Sequence, residues 1–63
     1  MNLNTEKVRL LAYRKGLKQK EIAESSTLAL PTVNNIFNGR SCSQETAEKI
    51  AEALGVALEQ LTK

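Results

Sequence analysis

Three asparagines on one side of a short predicted helix are the residues of this sequence best suited to chemistry. Asn34, Asn35 and Asn38 recur with Pro31 at positions i, i+3, i+4 and i+7. Asparagine costs roughly 0.5–0.7 kcal/mol in a helix relative to alanine, so three on one uncharged face require a reason. A carboxamide can bond bidentately to N6 and N7 of adenine in the DNA major groove. On this helix alone, a solvated asparagine-rich face is an equally open alternative.

The helix that carries these asparagines is predicted over residues 31–38. Its opposite side is apolar, because Val33, Ile36 and Phe37 fall at i, i+3 and i+4. Proline suits the first turn, where a backbone N–H has no intrahelical acceptor, and Gly39 can end the helix in the left-handed conformation. The spacing therefore predicts a helix that packs on one side and presents carboxamides to solvent on the other.

Two helices are predicted before it. The first has an N-cap at Asn4 or Thr5 and ends at Gly16, and the second covers about 19–25. Their core-facing residues are small or apolar and recur at helical spacing: Val8, Leu11, Ala12, Ile22 and Ala23. Leu17, between the two helices, is also expected in the core.

Two more helices are predicted after it. One has an N-cap at Ser43, or at Ser41 with Gln44 in a capping box, and ends at Gly55. A last short turn covers residues 58–61. Their inward-facing residues are Ala47, Ile50, Ala51, Leu54, Val56 and Leu61. The chain is therefore predicted to be all-α, with five short helices.

The length and the charge pattern constrain the class of protein. Sixty-three residues predict a single domain, 1–63, near the lower size limit for folding without a disulfide or a metal. The net charge is only +2, but seven basic and three acidic residues lie up to Arg40, against two and four beyond it. A basic half that carries the asparagine helix favours a face turned towards a polyanion.

Several functions lack the residues they need. The chain has no histidine and a single Cys42, so it offers no disulfide, no metal-binding cluster and no base for a nucleophile. We expect no enzymatic activity, no cofactor and no small-molecule substrate. No apolar run approaches the roughly 20 residues that cross a bilayer, so we expect a cytoplasmic protein without membrane association.

At this point the sequence resembles a known family, the helix-turn-helix DNA-binding domains of the phage repressor and Cro type. These lambda repressor-like domains are compact five-helix bundles found in bacterial and phage regulators. The resemblance covers nearly the whole chain. It rests on the following pieces, all in register: Gly16-Leu17, Gln19 with Glu21-Ile22-Ala23, Thr32-Val33, Ile36 with Asn38-Gly39, Glu45-Thr46, Lys49-Ile50-Ala51 and Ala53-Leu54-Gly55-Val56.

The resemblance implies that the third helix lies in the major groove. The positions that would face bases are Leu30, Pro31, Thr32, Asn34 and Asn35. Gln19 would clamp a phosphate, and the backbone amides and side chains of Asn38 and Arg40 would meet neighbouring phosphates. Basic residues around the groove would add salt-dependent attraction: Arg14, Lys15, Lys18, Lys20 and Arg40.

Two departures from the family pattern bear on the fold. Thr27 stands where the turn usually has glycine, and Ser26 stands where leucine is usual. Thr27 is strained if the turn needs a left-handed residue; otherwise the second helix ends early, or the Ser and Thr hydroxyls rebuild the turn. Ala12 and Phe37 occupy the positions where the family commonly pairs arginine with glutamate, and an apolar contact can replace such a pair.

The leading hypothesis is a sequence-specific regulator of transcription, a small repressor that binds double-stranded DNA as a homodimer. Val56, Leu58 and Leu61 are the candidate subunit contact, although the same residues could simply close the core. The rival is a protein-interaction module, or an antitoxin-type subunit, with weak or no base readout. The apolar Leu30-Pro31 pair and the low total charge favour the rival.

Overall fold

The computed structural model describes residues 1–62, and all regular secondary structure in this range is helical. The five helices are α1 Thr5–Arg14, α2 Gln19–Ser26, α3 Leu30–Phe37, α4 Gln44–Leu54 and α5 Leu58–Thr62. The predicted all-α, five-helix fold is therefore confirmed. Four helix boundaries shift by one residue. α2 continues to Ser26, α3 runs from Leu30 to Phe37 with Asn38 as its cap, and α5 continues to Thr62.

The apolar faces of all five helices meet in one core. α2 packs against both α3 and α4, and α1 packs against α3 and α5. The largest side chains that are completely buried come from every helix: Val8, Ile22, Val33, Ile50, Leu54 and Leu61. Phe37 and Ala51 are also buried as the spacing predicts, whereas Leu11 is only half-buried against this core. The bundle thus fixes which side of α3 faces outward.

Side-chain caps define where α1 and α4 begin. Asn4 Oδ1 accepts a hydrogen bond from the backbone N–H of Lys7 at 3.2 Å, so Asn4 is the N-cap of α1 rather than Thr5. The hydroxyl of Ser43 accepts from the backbone N–H of Thr46 at 3.2 Å. The predicted alternative of a capping box from Ser41 is not formed, because α4 begins at Gln44 with Ser43 as its N-cap.

The first four helices end in the same way, with a left-handed residue followed by a backbone hydrogen bond back to the helix. Three of the left-handed residues are glycines, and the fourth is Thr27, after α2, with φ 58° and ψ 28°. The amide that follows each of them returns to a helix carbonyl: Leu17 to Ala12, Leu28 to Ala23, Arg40 to Asn35 and Val56 to Ala51. This arrangement satisfies carbonyls that the helix end would otherwise leave unpaired.

Thr27 and Ser26 decide the geometry of the turn between α2 and α3. Thr27 adopts the left-handed conformation despite its β-branch, so α2 does not end early. Both hydroxyls donate locally, that of Ser26 to the Ile22 carbonyl at 2.6 Å and that of Thr27 to the Ser26 carbonyl at 2.5 Å. Within the described chain, Ser26 is the one buried polar residue, and this bond satisfies it.

A polar link between α1 and α3 exists, although not through the family's usual ion pair. Ala12 and Phe37 are both buried, as the apolar replacement predicts. Arg9, one turn before Ala12, donates two hydrogen bonds to the Phe37 carbonyl, one from Nε at 2.9 Å and one from Nη2. Because Phe37 is the last residue of α3, the guanidinium satisfies a terminal carbonyl at the negative end of the helix dipole.

No helix within residues 1–62 is long and apolar enough to cross a membrane.

Candidate nucleic-acid interface

The outward side of α3 is the candidate interface. Asn34, Asn35 and Asn38 are exposed, while Val33 and Ile36 on the opposite side are buried. The side-chain amide of Asn38 donates to Asn34 Oδ1 across one turn at a distance of 3.4 Å. This bond is long, so both carboxamides remain available to other partners. The predicted two-sided character of the helix is confirmed.

The N-terminal end of α3 is apolar and accessible. Leu30 is 47% exposed and Pro31 is also exposed, whereas Thr32 is half-buried. Ala29 precedes them as the N-cap and has no side chain that could bond to the helix. Of the three residues at this end, Leu30 and Pro31 therefore present the larger free surface.

A cleft separates this end of α3 from the start of α2. It is lined by Lys18, Gln19, Lys20, Leu30, Pro31 and Asn34. Leu30 and Pro31 form its apolar wall, and the two lysines supply positive charge at its edge. The structure thus brings together four residues that the resemblance places at bases or at a phosphate, and adds Lys18 and Lys20, which the sequence analysis named among the basic residues around the groove.

The start of α2 carries two exposed lysines and one carboxylate. The Glu21 carboxylate accepts a hydrogen bond from the Lys18 backbone N–H at 3.0 Å, which fixes the chain as it enters the helix. Gln19 is the first residue of α2 and is half-buried, and Lys18 and Lys20 on either side are exposed. The positive end of the α2 dipole therefore lies between two lysine side chains.

The end of α3 differs from the expectation in one respect. The backbone amide of Asn38 bonds to the carbonyls of Asn34 and Asn35, and that of Arg40 bonds to the Asn35 carbonyl at 3.0 Å. These amides are occupied because they complete the helix end, so they are not free to meet a phosphate. The exposed side chains of Asn38 and Arg40 are the groups that remain for this role.

Two other basic side chains have contacts elsewhere. Arg9 is bonded to the end of α3, as described above. The Lys15 ammonium lies beside Gly55 at the end of α4, so that a Cβ added to that glycine would stand 3.2 Å from Nζ. A cation is favourable at a helix C-terminus. Lys15 therefore has a place in the fold that the sequence analysis did not assign to it.

The candidate subunit contact needs a correction. Leu61 is 0% exposed and belongs to the core, so it has no surface left to offer a second chain. Its burial follows from the packing of α5 between α1 and α4. Val56 and Leu58 pack against the same core but are only half-buried. The part of this segment still available for a subunit contact is thus limited to Val56 and Leu58.

The described residues contain no group of three or more His, Cys, Asp or Glu side chains that could hold a metal ion. Cys42 is half-buried against the core, and its backbone N–H donates to the Met1 carbonyl at 2.9 Å. Burial raises the pKa of the Cys42 thiol, and the nearby N-terminal ammonium partly opposes this shift. A thiol held in its neutral form is a poor nucleophile.

Two successive helices joined by a tight turn, with the second exposed along a polar face, define a helix-turn-helix domain. The sequence model of the helix-turn-helix family matches residues 8–61. The chain belongs to this family, as a domain of the phage repressor and Cro type, a class of DNA-binding domains.

Two similar proteins are regulators by name. The chain is 36% identical over 61 residues to repressor protein CI of Enterobacteria phage phi80, a match that covers 97% of this chain and 26% of the relative. The chain therefore spans about a quarter of that repressor's length. It also resembles the crystal structure of the restriction-modification controller protein C.AhdI from Aeromonas hydrophila, with 30% identity, a TM-score of 0.83 and coverage of 89% of this chain and 86% of that one.

Proposed function

We propose that this chain binds double-stranded DNA sequence-specifically and acts as a small transcriptional repressor. The observation that carries the proposal is the exposed carboxamide face of α3, which the bundle holds at the surface between two sources of positive charge. Lys18 and Lys20 lie at one end of this face, and Arg40 follows the other. Carboxamides flanked by cations are complementary to the base edges and phosphates of a DNA duplex.

Each group has a distinct role in this proposal. Asn34 and Asn35 bond to base edges in the major groove, where a carboxamide matches adenine. Leu30, Pro31 and Thr32 enter the groove with the N-terminal half of α3. The remaining residues meet the phosphates and set the register of the domain on the duplex: Lys18, Gln19, Asn38 and Arg40.

We further propose that two copies bind together, because one domain has one α3 and reads one half-site. Val56 and Leu58 retain partly exposed apolar surface that a second copy could cover. The regulator would act in the cytoplasm, where bacterial DNA lies. The same fold in a protein without base readout, such as an antitoxin-type subunit, is the alternative that the following experiment separates.

The test begins with selection of binding sites from a random duplex library, followed by titration of the selected duplex and of random DNA at two salt concentrations. We expect preferred sites with an inverted repeat and a Kd that rises with salt. Failure to bind any duplex, or binding that is insensitive to salt, would contradict the proposal. Selected sites without a repeat would contradict the homodimer alone.

Two substitutions then separate base readout from phosphate attraction. Asn35→Ala should weaken the selected site by about 1–3 kcal/mol and leave random DNA nearly unchanged. Alanine is the better helix former, so α3 should not be destabilised. Lys18→Ala should weaken both duplexes alike and reduce the salt slope by about 1. Asn2→Ala, an exposed asparagine outside α3, is the matched control. Equal losses on both duplexes from Asn35→Ala would remove this residue from base readout.

A further inference from the structure

The exposed leucine at the start of α3 has no evident structural purpose. Leu30 is 47% exposed, while the core side of α3 is already supplied by Val33, Ile36 and Phe37. Pro31 beside it is exposed as well. An apolar pair in this position places hydrophobic surface directly where the proposed interface would enter the groove. Removing such surface from water by contact with an apolar group of a ligand is favourable.

The surroundings of this pair restrict what can cover it. The cleft that Leu30 and Pro31 line is bordered by Lys18, Lys20 and Asn34. Two cations and a carboxamide around an apolar wall are complementary to a ligand that combines a small apolar group, hydrogen-bonding edges and nearby negative charge. In the DNA major groove, a base carrying a C5 methyl group next to the phosphate backbone has all three.

We propose that Leu30 and Pro31 read a C5 methyl group, that of thymine or of 5-methylcytosine, in the recognised DNA. The inference rests on the proposed DNA-binding function and specifies which group one end of α3 detects. Leu30 lies one helical turn before Asn34, and Pro31 one turn before Asn35. The methyl-reading pair therefore stands next to the carboxamides on the same helix face, so the methyl group and the adenine lie in the same or neighbouring base pairs.

The test removes the methyl group from the DNA rather than from the protein. Each thymine of the duplex selected from the random library is replaced in turn by uracil, which differs only in lacking the C5 methyl. We expect one position in each half-site at which the wild-type protein binds about fourfold more weakly, the factor for burying one methyl-sized group. If the selected site has a C·G pair where this position falls, 5-methylation of that cytosine should strengthen binding by the same factor.

Two variants assign the effect to the leucine. Leu30→Ala should abolish the difference between thymine and uracil at that position. Leu10→Ala is the matched control, because Leu10 is 45% exposed on α1 and should leave the difference intact. Circular dichroism verifies that both variants are folded, and the uracil scan with the wild-type protein stands even if a variant is not.

The outcomes separate this inference from the proposed function. If a specific site is bound but no uracil replacement weakens it and no cytosine methylation strengthens it, the methyl-reading role is refuted while DNA binding stands. If the thymine–uracil difference persists in Leu30→Ala, another group reads the methyl and the assignment to Leu30 is wrong. If no duplex is bound at all, both proposals fail.

Discussion

Replacing Thr27 by glycine is expected to stabilise the fold. Thr27 ends α2 with φ 58° and is, within residues 1–62, the one non-glycine residue at positive φ. It is exposed, so its side chain contributes little to packing. At the ends of α1, α3 and α4 the same left-handed position is occupied by Gly16, Gly39 and Gly55. The turn of the helix-turn-helix is therefore the place where the backbone is strained.

The expected gain is the difference between two opposing effects. An L-residue in the left-handed conformation costs about 1–2 kcal/mol, which glycine does not incur. Glycine loses more conformational entropy on folding, which offsets about 0.4–1 kcal/mol. The hydroxyl bond from Thr27 to the Ser26 carbonyl is lost as well, but it is local and replaceable by water. We expect a net gain of about 0.5–1 kcal/mol, or a rise in Tm of about 2–8 °C for a domain of this size.

Urea and thermal denaturation followed by circular dichroism measure this gain. Gly16→Thr is the matched control, because Gly16 has φ 67° and no atom within 4 Å of an added Cβ. It should lose about 0.5–1 kcal/mol through backbone strain alone. A loss of stability in Thr27→Gly, together with the expected loss in Gly16→Thr, would show that the threonine side chain supports the turn and would refute the reasoning.

Two further predictions concern contacts outside the interface. Arg9→Ala should lower the free energy of unfolding by about 1 kcal/mol, because the Phe37 carbonyl at the end of α3 loses its charged donor. Denaturation of Arg14→Ala, an arginine on the same helix, provides the comparison. Equal losses of unfolding free energy in the two variants would show that the Arg9–Phe37 bond does not stabilise the fold. Cys42 should be alkylated more slowly in the folded protein than in urea, with the pH–rate profile displaced to higher pH, since burial raises its pKa. The neutral thiol is favoured in the folded state, so this contribution to stability is present below the unfolded pKa and is lost as pH rises through the folded pKa. Identical profiles in the two states would contradict the burial.

The sequence by itself determined the number of helices, the glycines that end three of them and the two-sided character of α3. Helical spacing is a local property, so Val33 and Ile36 had to face one way and Asn34 and Asn35 the other. Glycine at a helix end is equally local, and the glycines predicted to terminate α1, α3 and α4 adopt the left-handed conformation there. These features account for most of the candidate site, because the residues proposed to contact bases lie on one helix.

Only the tertiary structure decided which residues of different helices contact each other. Leu61 could have served the core or a second chain, and the position of α5 between α1 and α4 buries it. The Arg9 guanidinium reaches a carbonyl 28 residues away in the sequence, which no spacing rule specifies. The cleft that joins Lys20 to Leu30 likewise exists only because α2 packs across α3. Periodicity shows which side of a helix is apolar, but it does not show which neighbour covers that side, and this choice depends on contacts between residues far apart in the chain.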